Sequence, residues 1–224
     1  DYAVGSPDFE ALIADLSNKF INLPAGEVDR EIEDGLRRIC EPLGIDFAIL
    51  WQWTPKAPGV IAPTHSHYAH GSPPPPEPLS QERFPWCRQQ VLAGRTIAIA
   101  SLEEFPAEAG VDRESCRRFG VQSTLCLPLL VGNEPPVGAL GFNATRMRRA
   151  WPEALVNRLQ LMAQVFGNAL ARQRRERLLG ESEARLAAGS ELAGLVFYEL
   201  DFENRTAFID ERFREFSGIP RELE

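Results

Sequence analysis

Cysteine is scarce in this chain of 224 residues, and the few present stand apart. Cys40, Cys87, Cys116 and Cys126 are separated by 47, 29 and 10 residues, with no Cys-x-x-Cys pair among them. A zinc ribbon or a dithiol redox centre would bunch them. A chain this long has no need of disulfides to hold a core. The spacing therefore predicts reduced thiols and a cytoplasmic setting. Histidine is scarcer still, with three residues, at 65, 67 and 70. Basic side chains, 24, are outnumbered by 32 acidic ones, and a net charge of −8 excludes a broad non-specific nucleic-acid surface. No apolar run approaches the ~18 residues that would span a bilayer. No glycine-rich phosphate loop is present. The chain starts at Asp1 without a secretory signal and ends Glu222-Leu223-Glu224, and both ends read as cuts in a longer protein.

What is present is ordinary globular material, 44% apolar and 25% charged. The length suits one full domain and part of another. Phe9, Leu12, Ile13, Leu16 and Phe20 recur at helical spacing over 9–22, with Asp8 as N-cap and Pro24 as stop. Val28, Ile32, Leu36, Ile39 and Cys40 predict a second helix over 27–41, closed by Pro42 and Gly44. Residues 45–53, rich in β-branched and aromatic side chains, predict a buried strand, and 60–67 its antiparallel partner across a turn at 54–59. Five prolines over 71–78 allow neither helix nor central strand and predict a stiff exposed loop.

A helix over 84–93, a strand over 96–100 and a polar helix over 112–119 follow. Strands over 121–131 and 137–143 come next, joined by a turn carrying Gly132 and Pro135-Pro136. Pro152 opens a long helix to about 187. Along it Leu155, Leu159, Met162, Phe166 and Ala169 step by four and three in heptad fashion. Beyond Ala171 the helix turns polar, so Leu178, Leu179 and Leu186 are expected to be covered by another chain or domain, a lone solvated helix being the alternative. Two short strands, 195–201 and 206–210, and a helix from 212 to 217 are too little to bury a core of their own.

That element order resembles the GAF family of sensory domains. The resemblance is carried by Phe9-Glu-Ala-Leu-Ile-Ala-Asp-Leu-Ser17, Val28-Asp-Arg-Glu-Ile-Glu33, Phe84-Pro-Trp86 with Leu92-Ala-Gly-Arg95, Phe119-Gly-Val-Gln-Ser123, Leu127-Pro-Leu129 and Trp151-Pro-Glu-Ala-Leu-Val156. These are similar to the GAF modules of bacterial sensor histidine kinases and related regulators. Residues 181–220, with Gly194-Leu-Val-Phe-Tyr-Glu-Leu-Asp201 and Phe213-x-x-Phe216-Ser-Gly218, resemble the entry to a PAS domain. The resemblance implies an α+β fold in which a central antiparallel sheet carries helices on both faces, with a long C-terminal helix and a truncated PAS fragment behind it. It divides the chain into a leader (1–8), a sensory domain (9–172), a helical linker (173–187) and the PAS fragment (188–224). It also implies a ligand cavity on one face of the sheet and a homodimer seam on the other, assigned to Leu12, Leu16, Leu155, Leu159, Met162 and Phe166. Kinase parts are missing from this stretch, so it reads as non-catalytic, with output domains elsewhere and no nucleic-acid or membrane partner.

For the cavity, Trp53, His67, Trp86 and Ser123 are the candidate ligand contacts, core packing being the competing reading of each. Alternation puts Phe47, Ile49, Trp51 and Trp53 on one face of their strand, and splits Ser123, Leu125 and Leu127 from Gln122, Thr124 and Cys126, without saying which face fronts the cavity. His65 and His67 share a strand face and, with His70, are too few for a zinc site, so no metal is expected. GAF relatives hold haem or bilin through a His or Cys, but no chromophore motif surrounds Cys116, and the ligand stays unknown. A cysteine-based methionine sulfoxide reductase, another branch of the fold, would use Cys116 and Cys126 as a redox pair. A ligand-free spacer is the remaining alternative. The basic runs 146–149 and 172–177 read as a solvated loop and the polar face of the linker helix.

Overall fold

A computed structural model describes residues 7–54, 61–69, 83–193, 198–201, 203–204 and 206–218. His70 and the proline-rich stretch 71–78, most of the turn at 54–59, most of the leader, and both flanks of the second strand pair's first strand lie partly or wholly outside them. The chain divides into two compact units, Asp1–Arg174 and Arg175–Glu224.

In the first unit the elements run α1 (Pro7–Ile21), α2 (Val28–Leu43), β1 (Phe47–Trp53), β2 (Ile61–Tyr68), α3 (Pro85–Leu92), β3 (Ile97–Ile99), α4 (Gly110–Arg118), β4 (Ser123–Pro128), β5 (Gly138–Ala144) and the start of α5 (Glu153–Ala193). The five strands form one antiparallel sheet in the order β2-β1-β5-β4-β3. The fold is α+β, with helices on both faces of this sheet. Pairing sets opposed residues on the same face. Ala48, Leu50, Leu140, Phe142, Leu125 and Leu127 therefore face one way, into a core with α1, α2 and α5. Phe47, Ile49, Trp51, Ala139 and the strand β3 residues Ile97 and Ile99 face the other way, into a second core with α3 and α4.

Local chemistry explains the boundaries. Gly44 ends α2 in the left-handed region at φ 63°, its N–H reaching the carbonyls of Cys40 and Glu41, so the helix holds Pro42 within its last turn. Gly35 lets α2 approach α5 closely: a Cβ there would stand 3.0 Å from the Phe166 ring. Asp8 lies inside the first turn of α1 and does not cap it, where its charge still suits the helix N-terminus.

The helical seam differs from expectation. Leu16, Leu155, Leu159, Met162 and Phe166 are all buried within their own subunit, Leu12 is packed against the same core, and Phe166 meets Phe20 at 5.1 Å. The five buried residues are the hydrophobic filling between sheet and helices, and Leu12 alone of the six keeps part of its surface outside that core. Arg172 is likewise not part of a solvated face. Its guanidinium donates to the carbonyls of Phe20, Ile21 and Leu23 and so closes the C-terminus of α1.

The helix α5 is longer than the sequence pattern suggests, running 41 residues to Ala193 through Gly180 and Gly189. In the second unit β6 (Tyr198–Asp201) and β7 (Thr206–Ile209) form an antiparallel hairpin, followed by α6 (Glu211–Ser217). Asp210 caps α6 by accepting from the Phe213 N–H.

Candidate functional site

On the α3/α4 side the two layers do not close completely. They leave a cavity of about 120 Å³. Its floor is the sheet: Phe47, Ile49, Trp51 and Trp53 from β1, Thr124 and Cys126 from β4, and Ala139, Gly141 and Asn143 from β5. The opposite wall is Phe84, Cys87, Arg88 and Val91 at α3, with Cys116 and Phe119 from α4 and its end. Gly141 sits between Ile49 and Cys126 in the ladders, so the missing side chain hollows the floor at mid-sheet. A Cβ there would meet only ordinary contacts, 3.6 Å from the Asn143 amide nitrogen.

A single carboxylate holds the helical wall. Asp112, fully buried on α4, accepts from the Trp86 N–H at 3.1 Å and the Cys87 N–H at 2.8 Å. These are the free amides of the first turn of α3, whose own cap residue Phe84 supplies no side-chain bond. Ser115 adds a hydrogen bond to the Arg83 carbonyl at 2.6 Å. The α3 wall is thus hung from α4 by polar links at one end and by Val91 in the apolar core at the other.

The lining is aromatic and sulfur-rich. Burial pushes the Cys116 and Cys126 thiols up to about 12, for Cys116 with help from the nearby Asp112. Cys87 is pushed well above its ordinary value, by burial first and then by Cys126 and Asp112 beside it. Cys40 is raised too, by burial in the other core. At neutral pH these are thiols, not thiolates, and so are poor nucleophiles. Arg88 is the one charged side chain lining the cavity among the described residues.

The chain matches the GAF domain family over residues 27–170. It belongs to that family. No curated protein matches it. Among solved structures, the phycocyanobilin-bound GAF domain from a cyanobacterial phytochrome aligns with a TM-score of 0.61 at 16% identity, over 76% of this chain and 98% of that one. The GAF domain region of a Geobacter sulfurreducens PCA protein aligns at 0.53 and 16%, over 73% and 98%. The free methionine-R-sulfoxide reductase from Neisseria meningitidis, solved with its substrate, aligns at 0.58 and 10%, over 75% and 91%. At these identities the likeness is one of fold. The helix α1 precedes the matched stretch yet fills the core of this GAF domain with Phe9, Ile13, Leu16 and Phe20.

Of the residues expected at the GAF cavity, Trp53 lines it, with its indole N–H fixed by the Pro136 carbonyl at 2.7 Å. Cys116 and Cys126 line it too. The other three do not. His67 pairs with Ala48 and so lies on the α2 side of the sheet. Its neighbour two residues back, His65, is buried there between the Asp29 carboxylate, 3.0 Å away, and the Thr64 hydroxyl. Burial lowers the His67 imidazole, opposed by the nearby Glu41. Ser123 points to the same face as Leu125, bonds the Ala100 carbonyl at 2.7 Å and accepts from the Arg149 N–H at 2.8 Å, which makes it a structural tie. Trp86 packs edge-on to Phe105 at 6.0 Å in the core below α3. Cys87, Arg88, Gly141 and Asn143 were not anticipated. A signal for the first two existed: Phe84, Cys87, Arg88 and Val91 follow one another at helical spacing, offset by one residue from Trp86.

Proposed function

We propose that this chain is a non-catalytic sensory and dimerisation module of a bacterial signal-transduction protein, a sensor histidine kinase being the parent. It works in the cytoplasm. The α3/α4 cavity takes a small ligand, residues 188–224 begin a PAS domain, and α5 relays the signal toward an output domain. The observation that carries this reading is that the cavity floor and the helical core share the same strands. Gly141 and Asn143 line the cavity, while Leu140 and Phe142, alternating with them on β5, belong to the core that holds Leu155, Leu159 and Phe166 of α5. A ligand that binds two packings of this floor differently biases α5 directly.

The cavity size bounds the ligand. About 120 Å³ is near the ~150 Å³ of an engineered cavity that takes benzene, so it suits one ring. A tetrapyrrole, as in the phycocyanobilin-bound neighbour, carries four such rings and is not the ligand we propose. A cysteine-based reductase is the second reading, favoured by the convergence of Cys87, Cys116 and Cys126 on one cavity and opposed by their raised thiols.

Native mass spectrometry of the freshly purified chain, alongside Gly141→Leu, tests the sensor reading. The expected result is a retained small molecule in the native chain that the filled-floor variant lacks. A chain that never carries or takes up a small molecule is a spacer. Thioredoxin-coupled turnover of free methionine sulfoxide would make it an enzyme.

A further inference from the structure

We infer that the cavity selects a compact aromatic monocarboxylate, and that Arg88 is the residue that reads its carboxylate. This inference deepens the sensory reading and rests on it. Arg88 Nε is shut away from water and has no hydrogen-bond partner among the described residues. A buried guanidinium N–H without an acceptor is costly; Nε does not itself open onto the cavity that Arg88 lines, so the side chain turns toward a ligand that brings the acceptor and removes that cost. Nε and one terminal nitrogen of a guanidinium form a planar fork that matches the two oxygens of a carboxylate. The rest of the lining defines the body of the ligand. Phe47, Trp51, Trp53, Phe84 and Phe119 surround a space of single-ring size, and Thr124 and Asn143, paired across β4 and β5, offer a hydroxyl and an amide on the floor.

Charge arithmetic narrows the class further. One cation and no carboxylate line the cavity among the described residues. A single negative charge is balanced there. A phosphate ester or a dicarboxylate would leave charge uncompensated in an apolar enclosure, and an ammonium would find no carboxylate among the described lining residues, Asp112 behind the wall being turned to the α3 amides.

The test is titration of the full chain with benzoate and with its neutral isostere benzamide, read by Trp fluorescence and by thermal midpoint. Trp51 and Trp53 line the cavity and serve as reporters. Benzoate is expected to bind saturably and at least about tenfold tighter than benzamide, the worth of a charge-assisted paired hydrogen bond. Arg88→Gln should erase that preference while leaving benzamide binding in place, and Gly141→Leu should abolish both. Should Arg88→Gln fail to fold, the benzoate-to-benzamide ratio in the native chain decides alone. Equal affinity for the two probes, or a preference that survives in Arg88→Gln, would overturn the role of Arg88 and leave the cavity as a ligand site. Failure of both probes to bind the native chain would overturn this inference; that failure together with a chain that carries no small molecule would overturn the sensory reading as well.

Discussion

Asp46 illustrates how much one side chain can organise. It is 1% exposed, just before β1, and accepts from the Thr145 N–H at 2.7 Å, the Arg146 N–H at 3.1 Å and the Arg146 guanidinium. Burial alone would raise its carboxyl. The hydrogen bonds from Thr145 and Arg146 outweigh that and hold it below the ordinary carboxylate value. The basic run at 146–149 is therefore no simple solvated loop: Arg146 is bound to Asp46, and Arg149 stacks over the Trp151 ring at 5.5 Å. Asp46→Asn is expected to cost about 1–3 kcal/mol at pH 7, since it removes a charged acceptor from buried donors. The folded-state value is depressed, so Asp46 adds stability above its unfolded value of about 4, and that contribution is lost as pH falls through the folded value. Urea midpoints of the two proteins should differ at pH 7 and converge toward pH 3. A gap of constant size across that range would contradict the assignment.

Among the elements, the α3 wall depends most on a distant residue. Asp112 on α4 supplies the cap that Phe84 cannot, bonding both the Trp86 and Cys87 amides. Asp112→Ala should cost about 1–2 kcal/mol, the range for losing an N-cap. It should also raise amide exchange at the start of α3 and weaken any cavity ligand, while α1 and α2 keep their protection. Uniform loss of protection would mean that Asp112 supports the whole core and not this wall.

The elements were legible in the sequence because Pro, Gly and turn residues punctuate clear apolar periods, as at Pro42-Leu-Gly44 and Gly132-Asn133. The site was less so. β1 and β5 lie mid-sheet and are buried on both faces, so alternation fixes which residues share a face and leaves open which face meets which helices. Ser123 and Thr124 differ by one position and end on opposite sides, one a structural tie and the other a cavity residue. Cys87 and Arg88 enter the site only because a carboxylate 25 residues away in sequence orients their helix.

At the scale of the whole molecule, the heptad along α5 serves two different ends. Its steps of four and three from Leu155 to Ala169 are filled by the subunit's own core. Continued, the same steps reach Gln173, Glu176, Gly180 and Glu183, which cannot extend an apolar seam. Leu179 and Leu186 stand one position off that phase, seven residues apart, and are 61% and 71% exposed. The dimer we propose therefore shifts from the buried seam to this second stripe, which lies on the polar extension and has a spacing suited to pairing with its own copy. The expected outcome is a dimer at micromolar concentration in sedimentation, and a monomer for Leu179→Glu/Leu186→Glu with its thermal midpoint for the GAF domain unchanged. Leu159→Ala gives the contrast. It should lose about 2–5 kcal/mol from cavity formation in the core, with the extension's pairing left intact wherever the domain still folds. A double variant that remains dimeric would place the contact elsewhere. A native chain that stays monomeric at high concentration would remove the pairing altogether and leave α5 a relay within one subunit.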